Sequence, residues 1–342
     1  MIPIHNVYYM LSYAFQILNE QSYKNIATEQ FHNTADLMAA ILSKGIATQI
    51  KRGLGKEYIL RTETLSSLRG KMNITKSIKT QTILKKQMWC TYDEFSVNGT
   101  KNRIIKSTLE LLLKSDIPKY RKKELRKLML FFSEVENIDL HSINWNMKYD
   151  RNNKTYRMLI SICYLVINGL IQTNSEGNTK IMDFLDEQSM FRLYEKFILG
   201  YYKKHYAELS PSASRIPWSV DNTIMLPVMQ SDIYLQKNNT VLIIDAKYYS
   251  HTTQVKYDNH TLHSNNMYQI FTYVKNCDYA FGEEDHKVSG MLLYANTDEK
   301  IQPDNVYQMN GNQITVKTLD LNQKFDIIAK QLDNIVKSHF DI

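Results

Sequence analysis

The sequence predicts an α+β domain over residues 1–150, followed by an α/β domain over residues 151–342 built round a strand covered on both faces. Three observations point there. Val241-Leu242-Ile243-Ile244 is apolar at four successive positions, and because alternate side chains of a strand face opposite ways, both faces must be buried. Through the second half, segments of helical period alternate with short β-rich ones. Charge divides as well: residues 1–150 hold 23 Lys and Arg against 14 Asp and Glu, whereas residues 151–342 hold 19 against 21. The polar, turn-rich stretch from Asn137 to Asn153 is the natural boundary.

Composition narrows the class. Of 342 residues, 43% are hydrophobic and 23% charged, the balance of a globular chain. No apolar run approaches the ~20 residues of a membrane span. Met-Ile-Pro-Ile-His-Asn lacks the basic start and apolar core of an export signal. Cys90, Cys163 and Cys277 are odd in number, far apart and not in metal-ligand spacing. They fit a reducing cytoplasm and argue against structural zinc.

In chain order, His5–Leu18 reads as an apolar helix with Asn6 as its N-cap, and a second helix starts at Asn33-Thr34 with Leu37, Met38, Ile41, Leu42 and Ile46 at helical spacing. Residues 51–97 turn to shorter, more polar segments. Gly55-Lys56 and Gly70-Lys71 invite a phosphate-loop reading, but neither is followed by Ser or Thr, and no upstream glycine has the required offset. A Walker-type nucleotide site is thereby excluded. Residues 89–97 alternate as a strand, and 102–113 form an amphipathic helix. Lys119–Lys127 then holds six basic residues in nine (Lys119, Arg121, Lys122, Lys123, Arg126 and Lys127). That run is either a solvated helix face or a contact for DNA or an acidic partner.

Thr155–Ile171 reads as a buried helix, and Asp186–Glu208 as a long one carrying Phe191, Tyr194, Glu195 and Ile198. Two apolar runs flank Lys237-Asn238-Asn239-Thr240, and Asn-Asn accepts the positive φ of a tight hairpin turn. The polar stretch 251–266, with His251, His260 and His263, lacks the spacing of a helical zinc pair and suggests a mobile loop over the site. A helix follows at 266–274, strands at 290–295 and 313–319, and a last helix at 322–340.

Counting the hairpin outward from Asn238-Asn239 sets Asp232 opposite Asp245, and the pleat sends Lys247 to the same face as Asp245. Two carboxylates and a lysine at the end of a buried strand are costly unless they bind something. A hard divalent cation, Mg2+ or Mn2+, would relieve the repulsion by taking oxygens from Asp232 and Asp245, with the backbone carbonyl of Ala246 as a third ligand. Lys247 is then placed to orient water or stabilise a pentavalent phosphate. The bland alternative is a surface hairpin with a Lys–Asp ion pair, which the apolar tetrad before Asp245 disfavours.

This Asp-x12-Asp-x-Lys pattern resembles the PD-(D/E)xK nucleases. A longer resemblance rests on Ile-Pro-Ile-His-Asn-Val-Tyr-Tyr-Met-Leu-Ser-Tyr-Ala-Phe (2–15), Leu68-Arg69-Gly70-Lys71, Tyr92-Asp93-Glu94, Asn102–Thr108 and Asp245-Ala246-Lys247-Tyr248-Tyr249. In that order and spacing these motifs are similar to McrC, the family of nuclease subunits of McrBC-type modified-cytosine restriction enzymes. His5 departs from the family, where arginine is expected.

The resemblance implies a restriction-endonuclease-like domain at 151–342, with a mixed central sheet flanked by helices and Asp232, Asp245 and Lys247 as its catalytic residues. It also implies accessory roles for Glu195 on the preceding helix, for Gln269 and for Tyr248. Residues 1–150 would carry a finger entering the pore of a hexameric McrB-type AAA+ GTPase. That partner would use GTP and act on double-stranded DNA containing 5-methylcytosine. Two other classes stay open: a self-sufficient repair or junction nuclease, and a nuclease-like regulator acting only on the GTPase.

Overall fold

The computed structural model of the chain describes residues 2–15, 18, 23, 26, 29–149, 153–175, 187–249, 254–256, 259–296, 302–340 and 342. The chain opens on α1 (Ile4–Ala14), earlier at both ends than the expected 5–18. Pro3 takes the N-cap position, where its missing N–H is no loss. Asn6, expected as the cap, lies inside the helix, and its Nδ2 donates to the carbonyls of Leu321 and Gln323, each at 2.8 Å.

The chain divides into two compact units, and the boundary is not at 150. Met1–Glu29 belongs with Leu185–Ile342, and Gln30–Phe184 forms the other unit. The second unit is an insertion between α1 and the rest of the first. A sequence boundary sought in one polar stretch cannot register an element whose packing partners come much later in the chain.

The inserted unit begins with α2 (Thr34–Arg52), capped as expected by Asn33, whose Oδ1 accepts from Asp36 N at 2.8 Å. Strand β1 (Glu57–Leu65), β2 (Lys71–Met72), α3 (Ile74–Lys79) and β3 (Met88–Ser96) follow. The strands form an antiparallel sheet in the order β1–β3–β2, with Glu57 opposite Ser96 and Leu65 opposite Met88. Then come α4 (Thr100–Lys114), α5 (Lys119–Met129) and α6 (Lys154–Ser175). The α4 helix packs against α6 and α5, and α2 against both as well. Leu37, Ile41, Ile105, Leu109, Leu125, Leu159 and Ile162 are buried there. Tyr156 on α6 ties the sheet to the helices: its hydroxyl donates to Asn102 Oδ1 at 2.6 Å and accepts from Gly55 N at 2.8 Å.

The first unit resumes with α7 (Glu187–His205), against which α1 packs. Gly200 permits the approach, since a Cβ there would stand 2.2 Å from the carbonyl oxygen of Tyr13. A short hairpin, β4 (Arg215–Ile216) and β5 (Met229–Gln230), leads into β6 (Ile233–Lys237) and β7 (Thr240–Lys247). Next come β8 (Gln254–Lys256), β9 (Asn259–Thr261), α8 (Ser264–Ala280), β10 (Lys287–Ala295), β11 (Asn305–Met309), β12 (Asn312–Leu319) and α9 (Phe325–Phe340).

The main sheet runs β11–β12–β10–β7–β6 and is mixed, as expected. Strand β10 is parallel to both β7 and β12, while β6 and β11 are antiparallel edges. Asn238 takes the turn with φ +52°, and Lys237 pairs with Thr240. Residues 241–247 are all buried, so both faces of β7 are covered. Val241 and Ile243 pack with Ile270 and Val274 of α8, Val288 and Leu292 of β10, and Val316 of β12. The α7 helix packs against β6 and β7, and α9 against β12. Among the described residues, no helix is long and apolar enough to cross a membrane. The expected loop at 251–266 falls partly outside the described residues. Within them, β8 and β9 pair antiparallel, and His263 is the N-cap residue of α8.

Candidate active site

The hairpin register sets the site. Ile233 pairs with Ile244, so the next step outward brings Asp232 level with Asp245, and the backbone N–H of Ala246 donates to Asp232 Oδ2 at 2.9 Å. Asp245 is 1% exposed and Lys247 5%. Lys247 Nζ stands 2.7 Å from Asp245 Oδ2 as an ion pair, no N–H or hydroxyl donates to the buried Asp245 Oδ1, and the acid that hydrogen-bonds Asp245 is Asp232, through its own proton. A buried carboxylate oxygen in that state is costly unless a proton or a cation reaches it.

Electrostatics reinforce the geometry. Burial pushes the Asp232 carboxyl up to about 8, and Asp245 and Glu195 push the same way against the Ala246 N–H. Burial likewise lifts Glu195 on α7 to about 7; Lys247 lowers it and Asp245 raises it. Burial disfavours the Lys247 ammonium, yet Asp245 and Asp232 raise its pKa above the ordinary lysine value. Asp232 and Glu195 therefore resist ionising in the field they share with Asp245 and Lys247 unless positive charge arrives.

Gln269 lies beside the cluster. Its Oε1 accepts from Lys247 Nζ at 3.2 Å, and its Nε2 donates to Tyr273 OH at 3.0 Å. The Tyr248 ring lies 6.2 Å from that of Tyr194 on α7. A polar chain that no sequence motif announces runs behind Lys247. Tyr249 OH donates to Asn266 Oδ1 at 3.4 Å, and Asn266 Nδ2 donates to the hydroxyl of Tyr294, which pairs with Lys247 across β10 and β7. One available signal was Asn266 at the start of an apolar helix.

The basic run is a helix, and one of its six members is not available to a ligand. Arg121 is buried, its Nε 3.1 Å from Asp36 Oδ1 and its Nη1 2.8 Å from Glu124 Oε2. It shares a face with the buried Leu125 and Phe132, so helical phase turns it inward.

Among the described residues, no three His, Cys, Asp or Glu side chains group closely enough to hold a metal by themselves. Two adjoining carboxyls and a neighbouring backbone carbonyl nevertheless make a donor set of the type hard cations prefer. Residues 5–295 match the family model of the McrBC 5-methylcytosine restriction system component. The chain belongs to this family. One relative of this McrBC component, the type IV methyl-directed restriction enzyme EcoKMcrBC of Escherichia coli (strain K12), is 28% identical over 342 residues. That match covers 98% of this chain and 97% of the relative. Two solved structures are also similar. A chain of the half-complex from the tetradecameric assembly of Thermococcus gammatolerans McrB AAA+ hexamers with bound McrC gives a TM-score of 0.47 at 16% identity, over 97% of this McrBC component and 76% of that chain. A chain of the McrBC complex of the same organism gives 0.39 at 18% identity, over 59% and 58%.

Proposed function

We propose that the chain is the endonuclease subunit of a GTP-dependent, 5-methylcytosine-specific restriction system, with a PD-(D/E)xK (restriction-endonuclease-like) domain that cuts DNA by metal-dependent phosphodiester hydrolysis. The observation that carries this reading is the meeting of Asp232, Asp245 and Lys247 at one buried strand end, where the two carboxyls share a hydrogen bond and a field that a cation would relieve. Mg2+ or Mn2+ would be held there by Asp232, Asp245 and the carbonyl of Ala246. Such a cation, when bound, activates water and offsets charge on the scissile phosphate.

The chain's own residues do the remaining work. Asp232 must release its proton before it can serve as a ligand. Lys247, steadied by Asp245 and Gln269, presents its positive charge to the developing pentavalent phosphate. Glu195 feels both Asp245 and Lys247, and with a pKa near neutrality it is suited to accept the proton of the attacking water.

The same reading gives the inserted unit a McrB-type hexameric AAA+ GTPase as its partner, with the β1–β3–β2 sheet as the finger that enters the pore. GTP would be used only by that partner, and the substrate would be double-stranded DNA containing modified cytosine. Family membership supports this, as do Tyr58, Leu60, Leu68, Ile78 and Leu84, large apolar side chains exposed on or beside the sheet. Measuring GTP turnover and cleavage of methylated DNA tests it. The purified chain should show neither activity efficiently, and adding the GTPase should produce both. Cutting by the chain alone, indifferent to GTP, would leave the self-sufficient nuclease as the better reading.

A further inference from the structure

We propose that the outer face of α5 is a contact for the phosphate backbone of duplex DNA, independent of base sequence; this rests on the nuclease reading only for the reason DNA is present. Lys119, Lys122, Lys123, Arg126 and Lys127 recur at intervals of three and four, so they form one stripe along the helix. Arg121, Leu125 and Phe132 are buried on the opposite side. Lys119, Lys123, Arg126 and Lys127 are exposed, and none of the five has an ion-pair or hydrogen-bond partner among the described residues. Some other cations of this unit are engaged, Arg61 with Glu94, Lys101 with Glu57, Arg69 over the Tyr92 ring and Lys76 over the Trp89 ring, while the rest do not form a stripe on one helix.

The stripe works against its own helix. Lys119 and Lys123, Lys122 and Arg126, and Lys123 and Lys127 are like-charged pairs four residues apart, which destabilise a helix. Lys119 and Lys122 also sit at the end where the helix dipole is positive, and the first turn holds no acid. An anion laid along the stripe would remove both penalties.

Duplex DNA fits better than an acidic protein for two reasons. From Lys119 to Lys127 the helix rises about 12 Å, room for about three phosphates of one strand at 3.4 Å of axis each. The charges are spread along that length, not gathered round a pocket. The proposed catalytic unit, Met1–Glu29 with Leu185–Ile342, carries 16 Lys and Arg against 21 Asp and Glu, and so repels DNA. The inserted unit carries 26 against 14. The electrostatic hold on a polyanion has to come from the inserted unit.

The test is binding of the full chain to a fluorescent unmethylated duplex over a salt series in EDTA, where cleavage plays no part. Lys119→Gln, Lys123→Gln, Arg126→Gln and Lys127→Gln combined should weaken binding at least tenfold at low salt. The slope of log K against log salt should become shallower by about 2 to 3, given roughly 0.9 for each of about three phosphates no longer neutralised. Methylation of the duplex should not alter that change. A control of equal charge, Lys71→Gln, Lys79→Gln, Lys85→Gln and Lys86→Gln, should move the slope by less than 1, and both variants should melt like the parent chain. Equal effects of the two variants would reduce the stripe to general net charge and overturn the proposal. So would a parent chain with no salt-dependent binding, or an unchanged slope with loss of GTPase association, the mark of a protein-docking face. A chain that shows the slope change but does not cleave methylated DNA even with the GTPase, GTP and Mg2+ would sink the nuclease reading and leave this DNA-binding face standing.

Discussion

The backbone N–H of Ala246 donates to Asp232 Oδ2 across 2.9 Å, which pins the carboxylate before one strand to the residue lying between Asp245 and Lys247 on the next. Replacing any one of Asp232, Asp245 or Lys247 by Ala should abolish cleavage by the complex, by a factor of ~100 or more, because charge stabilisation at the reacting phosphate is lost. GTP turnover by the partner should stay at the parent level. Undiminished cutting by Asp245→Ala in Mg2+ would remove the site from consideration.

Acid–base linkage gives a second expectation. Asp232 at about 8 and Glu195 at about 7 keep protons in the folded state that the unfolded chain has already released. Unfolding therefore releases protons, and metal-free stability falls as pH rises from the ordinary carboxylate range through about 8. The slope is at most about 1.4 kcal/mol per pH unit for each group. Thermal melts from pH 5 to 9 should show the fall, Asp232→Asn should flatten it, and Mg2+ should stabilise more at pH 8.5 than at pH 6. A melting temperature independent of pH, with or without Mg2+, would contradict the coupled acids.

Glu195→Gln separates proton acceptor from bystander. Cleavage should drop about 10- to 100-fold, within the usual range for a lost general base, and the acidic limb of the pH–rate profile should flatten. DNA affinity in EDTA should not change. A rate within a few-fold of the parent, with the limb intact, would mark Glu195 as an ordinary helix residue.

Gln269 acts through Lys247, so Gln269→Leu should lower the cleavage rate about tenfold while KM for DNA stays put, the pattern of an interaction made in the transition state. Gln269→Glu keeps an acceptor oxygen and should recover part of the rate. Equal losses in both variants would point to a packing defect.

A Cβ at position 200 would meet the Tyr13 carbonyl at 2.2 Å, so Gly200→Ala should force α1 away from α7. Overpacking of this kind costs about 1–3 kcal/mol, readable as a drop of several degrees in the melting temperature. A neutral Gly200→Ala would mean that the backbones of α1 and α7 do not meet at this point.

What the sequence disclosed followed local rules. The Asn238-Asn239 turn fixes the register by counting, and the tetrad 241–244 announces a strand buried on both faces, so Asp232, Asp245 and Lys247 could be brought together from sequence alone. Strand β1 could not be seen, because Tyr58 and Leu60 are exposed and its charged and apolar residues follow no buried face. Composition alone groups Arg121 with its basic neighbours, whereas its helical phase with Leu125 and Phe132 turns it inward. The unit boundary was hidden for a different reason: α1 finds its partners in α7 and near Leu321, and nothing within residues 4–14 encodes that distance.

Because α1 belongs with residues 185–342 while residues 30–184 form a unit of their own, order of synthesis and order of folding part company. On the ribosome, α1 emerges first with its apolar side uncovered, and the inserted unit can close before α7 exists to receive it. An exposed apolar helix with three tyrosines waiting through that interval is a natural client for a chaperone. It also changes how the molecule should be cut: a fragment beginning near residue 151 leaves α1 behind, whereas joining residue 29 to residue 185 by a short linker keeps every element of the sheet-bearing unit together.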